Sequence, residues 1–237
     1  ASAPLAMMPP TPDSSYNVFA MPVESPIHGA RSIVTRPWLA AGVGDPATTL
    51  RWHNNGTTNY TSTRGNNVHA YDDINSDNAP GVSPDTFNLR FDYPFTPSIT
   101  PTDNLKSCIT NLFYWNNIIH DVAYQYGFDE VSGNFQNSNL GRGGLGNDYV
   151  KAEAQDGGGT NNANFNTPVD GNSASMQMYV CSPISETSPL TINTPPSIAG
   201  SMYAIESAFS TNNKLATIGL TTGDLLLIQD ESGPTHQ

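Results

Sequence analysis

Residues 103–126 read DNLKSCITNLFYWNNIIHDVAYQY, and the rest of the chain is best read outward from them. Leu105, Cys108, Ile109, Leu112, Phe113, Asn116, Ile119, Val122, Ala123 and Tyr126 recur with the 3.6-residue period of one helix face. Asn116 is the one polar member of that stripe. Thr102 or Asp103 offers a short oxygen-bearing side chain to cap free N–H groups at the start. Gly127 stands where a helix end wants a left-handed residue, and apolar Phe128 follows it. The pattern predicts a long amphipathic helix over 103–126, broad enough to lie between a sheet and another layer.

Downstream, residues 127–148 are an Asn- and Gly-rich loop. Residues 149–155 (YVKAEAQ) then alternate apolar and polar, as a half-buried strand does. Asp156–Gly159 reads as a flexible turn, and Asn161–Phe165 and Met176–Cys181 as further strands. Upstream, Val68–Tyr71 and Phe87–Phe91 are strand candidates among turns such as Asn54-Asn55-Gly56. The predicted class is α+β: a twisted, mainly antiparallel sheet with one long helix. Residues 1–30 are Pro-rich and read as linker or edge structure. Residues 182–200 are rich in Ser, Pro and Thr, a boundary composition, and Leu225–Ile228 reads as a buried strand beyond it.

The chain has 237 residues, enough for one good-sized domain or a domain plus part of a second. Nine Lys and Arg stand against 21 Asp and Glu, a formal net charge of −12. Nucleic-acid backbones and anionic membrane surfaces both need a basic footprint, so neither is an expected partner. No apolar run is longer than the four residues of Leu225–Ile228, far shorter than the ~20 residues of a membrane helix. Polarity comes instead from 25 Asn and 23 Thr, a balance that leans extracellular.

Candidate chemistry is sparse. The histidines are His28, His53, His69, His120 and His236; no two are four apart, so no HExxH helix forms from this chain. His120, within the helix, reads as a hydrogen-bonded structural residue. Asp73, Asn75 and Asp77 place oxygen ligands at alternate positions, as hard cations such as calcium prefer. Asn78 and Pro84 stand where an EF-hand loop has Gly and Glu, so the stretch is a polar turn or a calcium loop of another kind. Residues 141–146 match GxGxxG but follow a loop and precede a strand, the wrong context for a dinucleotide. Asn55-Gly56-Thr57 and Asn59-Tyr60-Thr61 are glycosylation sequons. Cys108 and Cys181 either pair or serve as small apolar residues.

Several stretches together carry a resemblance. They are Thr63–Ala70 (TRGNNVHA), Phe113–Asp121 (FYWNNIIHD), Tyr126-Gly127-Phe128 and Gly133–Gln136 (GNFQ). Lys151–Gly157 (KAEAQDG), Gly159–Phe165 (GTNNANF), Asp170-Gly171 and Met176–Tyr179 (MQMY) continue the series. In this order they resemble the fungalysin family of secreted zinc metalloendopeptidases, over roughly residues 24–181. The resemblance implies the N-terminal lobe of a thermolysin-like fold over 31–185, preceded at 1–30 by linker or the end of a propeptide. Residues 186–237 are similar to the opening of a protease-associated insertion.

In such enzymes an edge strand bearing Asn-Asn-Ala pairs with extended peptide substrate. That implies substrate-binding roles for Asn162, through its side-chain amide, and Ala163, through its carbonyl. The family's zinc is held by HExxH and a later Glu, with the motif Glu as base. None of these stands in Cys181–Gln237. The zinc of the complete enzyme is therefore not expected on this chain. It should be inactive alone and should meet a helical C-terminal lobe as partner. The alternatives are a non-catalytic secreted peptide-binding module and, in a different class, an adhesion or carbohydrate-binding β-domain.

Overall fold

The structure is a computed structural model that describes residues 13–181, apart from 24, 25, 27, 40–45 and 97–99. The expected strand at Leu225–Ile228 and the expected insertion at 186–237 lie outside the described residues, as do residues 1–12.

The long helix, α1, runs from Leu105 to Gln125. It begins after a 3-10 turn at Pro101–Asn104. Neither Thr102 nor Asp103 caps it: the N-cap position is Asn104, and its side chain makes no cap hydrogen bond. Instead Asn104 Nδ2 donates to Thr96 O and its Oδ1 accepts from Thr96 N, both at 2.9 Å, pinning the preceding loop. The C-terminus follows the glycine-based expectation. Gly127 has φ of 94°, its N–H donates to Tyr124 O, and Phe128 N–H donates to Ala123 O. These two bonds are the Schellman pair that satisfies the last carbonyls.

The helix is rotated relative to its apolar stripe. The buried positions are Ser107, Ile109, Thr110, Phe113, Tyr114, Asn116, Asn117, Ile118 and Asp121. Ile119, predicted to be inside, is 55% exposed. The polar members of the inner face fit because each has a partner. Ser107 donates to Asn104 O, Thr110 to Lys106 O and Asn117 Nδ2 to Phe113 O, while Asp121 accepts from Trp52 Nε1 at 2.9 Å. A buried polar group that is hydrogen-bonded carries little penalty.

Seven described strands form two sheets. β1 (Ser15–Val18), β2 (Ser32–Thr35) and β4 (Arg90–Phe91) make one, in the order β2-β1-β4. β3 (Val68–Asp72), β5 (Val150–Thr160), β6 (Ala163–Phe165) and β7 (Ser175–Val180) make the other, in the order β3-β5-β7-β6. Among these strands the sheets are mixed, not mainly antiparallel. β3–β5, β5–β7 and β1–β4 pair in parallel, and β1–β2 and β6–β7 antiparallel. Parallel neighbours need a crossover, and α1 lies in the one between β3 and β5. The α+β class stands.

β1 lies within the stretch read as Pro-rich linker or edge structure, yet it is the central strand of its sheet. Its alternation buries Tyr16 and Val18 completely. The Phe87–Phe91 candidate shrinks to two residues, because Phe87 is 93% exposed. α1 packs on β1, β3 and β5. The core between them is aromatic: Tyr16 stacks on Phe91 at 5.4 Å, and His53 on Phe113 at 4.9 Å. Trp52 meets Phe113 edge-on at 6.2 Å.

Candidate functional site

β6 lies at the edge of its sheet, and its register tells which way each backbone group points. Asn166 N–H donates to Ser175 O at 3.1 Å, so that pair is hydrogen-bonded. Antiparallel pairs alternate between bonded and non-bonded. Asn164↔Gln177 is therefore bonded, whereas Ala163↔Met178 and Phe165↔Met176 are not. It follows that the N–H and C=O groups of Ala163 and Phe165 point away from β7. All three β6 residues are exposed. Asn162 Oδ1 folds back to accept the Ala163 N–H at 2.8 Å, so this amide must swing before it can meet a peptide. The Ala163 carbonyl needs no such movement.

Behind this edge lies an open apolar groove of about 480 Å³ between α1 and the strands β5 and β7. Leu112, Trp115 and Ile119 line it from the helix, and Met176, Met178 and Tyr179 from β7. Of these helix positions, Leu112 and Ile119 are members of the apolar stripe that lie outside the buried face of α1.

The calcium candidates separate. Asn75 and Asp77 are exposed, and Asn75 Nδ2 donates to Asp77 Oδ2 at 2.9 Å. Asp73 is fully buried and turns inward, where one oxygen each of Asp73, Glu153 and Asp156 lie within 4.8 Å of one another. Desolvation pushes the Asp73 and Glu153 carboxyls above the usual carboxylate range. The Asp77 and Asn78 N–H groups pull Asp73 back down, and nearby Asp156 pushes it up. For Glu153 the Tyr71 hydroxyl and the Gln177 amide pull down, against Asp73 and Asp156. Sequence reading missed Glu153 and Asp156 because no local pattern links them to Asp73. The parallel register does: it sets Tyr71 beside Glu153 and Asp72 beside Ala154.

The described histidines do not converge. His53 Nε2 lies 2.6 Å from the Tyr16 hydroxyl and its Nδ1 is 3.0 Å from Ser62 O. His120 bonds Asp121 and Gln136, a structural role as the sequence suggested. The one cluster among the described residues able to hold a metal is the carboxylate group at Asp73. It offers oxygen alone, whereas catalytic zinc sites take imidazole or thiolate ligands as well. The described residues do not fit a catalytic zinc. Cys108 and Cys181 are both free. The Asn55 amide is buried and bonded to Thr57, Thr58 and Tyr60, which makes it a turn-builder in the folded chain.

Residues 15–213 match the family profile described as Fungalysin metallopeptidase (M36). The chain belongs to the fungalysin metallopeptidase family. An extracellular metalloproteinase 2 of Arthroderma otae is 45% identical over 168 residues, which is 70% of this chain and 26% of that protein. A probable extracellular metalloproteinase 5 of Arthroderma benhamiae is 43% identical over 170 residues, again 70% and 26%. An extracellular metalloproteinase mep of Aspergillus flavus is 42% identical over 171 residues, 71% and 26%. The chain thus spans about a quarter of the length of the curated relatives it matches. Membership in the fungalysin family leaves the adhesion or carbohydrate-binding reading without support.

Proposed function

We propose that this chain is the N-terminal lobe of a secreted zinc metalloendopeptidase, and that extended peptide substrates lie along β6. The observation that carries the reading is the pair of outward-facing residues, Ala163 and Phe165, on an exposed sheet edge. Their backbone groups repeat at the two-residue spacing with which a peptide strand adds to a sheet. Asn162, one residue upstream, adds a side-chain amide that can give one donor and one acceptor. The zinc, its ligands and the general base belong to sequence other than these residues. The relatives' name as extracellular metalloproteinases supports secretion.

The apolar groove favours a lobe over a self-standing peptide-binding module. A finished module has little reason to leave Trp115, Ile119 and Met178 around an open cleft. As a lobe, it presents them to a helical partner lobe. The part this half would play is to orient the peptide main chain.

The test is titration of an extended apolar hexapeptide into the isotopically labelled chain. Amide shifts should concentrate at Ala163 and Phe165. Phe165→Pro removes one outward N–H without breaking the ladder to β7, since proline is tolerated where the N–H faces away. It should weaken binding about tenfold, the loss of one main-chain hydrogen bond and some contact. Shifts elsewhere, or equal binding by the proline variant, would overturn the assignment.

A further inference from the structure

We infer that Asp73, Glu153 and Asp156 form a calcium site at the bend of β5. This goes beyond the peptide-binding reading and stands on different residues.

In a regular strand, residues three apart point to opposite faces. Glu153 and Asp156 would then diverge. Here the pairing of β5 with β7 shifts register between Ala154 and Asp156, and Gln155 between them takes a left-handed φ of 51°. The bulge re-aims Asp156 to the side of Glu153, as bulges do. Asp73 joins them from the end of β3, where Asp73 O accepts the Gly157 N–H at 2.9 Å. Gly157 has to be a glycine for this approach: a Cβ there would run into the Ile74 carbonyl.

Atom by atom, the three carboxylates are only partly satisfied. Asp73 accepts from Asp77 N and Asn78 N, at 2.9 and 3.0 Å. Glu153 Oε1 accepts the Tyr71 hydroxyl at 3.0 Å, and Asp156 Oδ1 accepts Gly158 N at 2.6 Å. Glu153 Oε2 and Asp156 Oδ2 are buried with no hydrogen-bond partner. The neighbouring Gln177 Nε2 donates to Asn78 Oδ1 at 3.1 Å, and its amide also faces Glu153. The ion pairs among the described residues join Arg36 to Asp13, His120 to Asp121 and Arg142 to Glu130; none reaches this cluster.

Three buried carboxylates with no opposing cation repel one another in a poorly screened site, and orphaned oxygens add a desolvation penalty. A divalent cation removes both problems at once. The donor set is all hard oxygen, which excludes soft thiophilic metals. Calcium binds oxygen at roughly 2.3–2.6 Å, so its ligand oxygens spread up to about 5 Å across the ion, matching the 4.8 Å span. Magnesium, at about 2.0–2.1 Å in strict octahedral geometry, fits a wide carboxylate set less well. A Kd of about 0.1–1 mM is the range of extracellular calcium modules.

The experiment uses the whole 237-residue chain, stripped with chelator and dialysed. Calcium is titrated calorimetrically, and terbium is titrated as a luminescent probe. Tyr71, hydrogen-bonded to Glu153, should sensitise terbium emission, and calcium should displace it. At 10 mM calcium chloride the melting midpoint should rise by about 5 °C for a Kd of about 0.1 mM. Asp156→Asn and Glu153→Gln keep shape and remove ligand charge; each should raise the calcium Kd at least tenfold. Asn75→Ala should leave it unchanged. Binding abolished by Asn75→Ala but kept by Asp156→Asn would put the ion on the exposed loop and overturn the proposal. So would no binding of calcium or terbium below several millimolar. Should a ligand variant fail to fold, Asn75→Ala still decides, since an ion held on the exposed loop would be lost with it and one on the buried carboxylates kept.

Discussion

Acidification should unfold this chain partly through one residue, His53. It is fully buried and stacks between Phe91 at 5.3 Å and Phe113 at 4.9 Å. The Ser62 carbonyl, 3.0 Å from Nδ1, can only accept, so the proton of the neutral ring sits on Nδ1. Nε2 then faces the Tyr16 hydroxyl at 2.6 Å, and that hydroxyl also bonds Ser14 Oγ at 2.8 Å. Protonation would place a charge among aromatic rings. Burial accordingly lowers the His53 pKa from 6.5 to about 4. The folded state thus binds fewer protons than the unfolded state between these values, and stability falls as pH drops through the window. Two-state linkage gives a loss of about 2 kcal/mol between pH 7.5 and pH 5. His69, also lowered to about 4 by burial and by Arg64, acts in the same direction. The raised carboxyls of Asp73, Glu153 and Asp148 act in the opposite one, stabilising the fold as they protonate. A difference measurement isolates His53. Urea unfolding of wild type and His53→Gln should be followed by tryptophan fluorescence at pH 7.5 and 5.0. The lower pH keeps clear of the pI of about 4.5, where net charge vanishes and solubility drops. The variant will be less stable at pH 7.5 but should lose about 2 kcal/mol less on acidification. Equal losses in the two proteins would refute the reasoning, as would a His53 resonance titrating near 6.5.

Three other perturbations follow from the packing. Gly157→Ala drives a methyl group into the Ile74 carbonyl, and chemical denaturation should show a loss of about 3 kcal/mol or failure to fold. Asp121→Ala strands the Trp52 indole N–H and the His120 ring in the interior, with an expected loss of about 2–3 kcal/mol and a shifted tryptophan emission. Ile119→Glu, at the rim of the open groove, should change stability by less than about 0.5 kcal/mol. It should also lower the binding of a hydrophobic dye; an unchanged dye signal would mean the groove is not the accessible apolar surface.

What could be read from sequence was what rests on neighbours along the chain. The helix and its glycine cap follow from residues within a few turns of one another, and both are there. The face it buries does not follow, because Ser107, Thr110, Asn117 and Asp121 are satisfied by bonds that periodicity does not reveal. The apolar residues they displace from the interior line the groove instead. Strand direction was equally hidden: alternation in β5 and β7 looks the same in either orientation. β1 escaped notice because prolines flank its four residues, and its burial depends on β2 and β4 arriving from elsewhere. Asp156–Gly159 looked like a turn, yet it continues β5 through register shifts, its glycines allowing contact with the Ile74 backbone. Asp73 drew attention for its nearest carboxylates, while its real companions stand some eighty positions away in the sequence.

The two ends of the larger sheet also differ in how the chain reaches them. β6 and β7 are joined by the nine residues 166–174, whereas β3 and β5 are joined by the 77 residues 73–149. Loop-closure entropy makes the longer connection about 2 kcal/mol harder to close. The β6–β7 hairpin can therefore assemble early, while β3–β5 waits for α1 and most of the intervening chain. Throughout that interval no other described strand pairs with the outer side of β6. A sheet edge with outward-facing backbone groups is, in a half-folded chain, open to the same strand of another copy. The yield of folded protein should then fall with chain concentration more steeply than the finished surface would suggest.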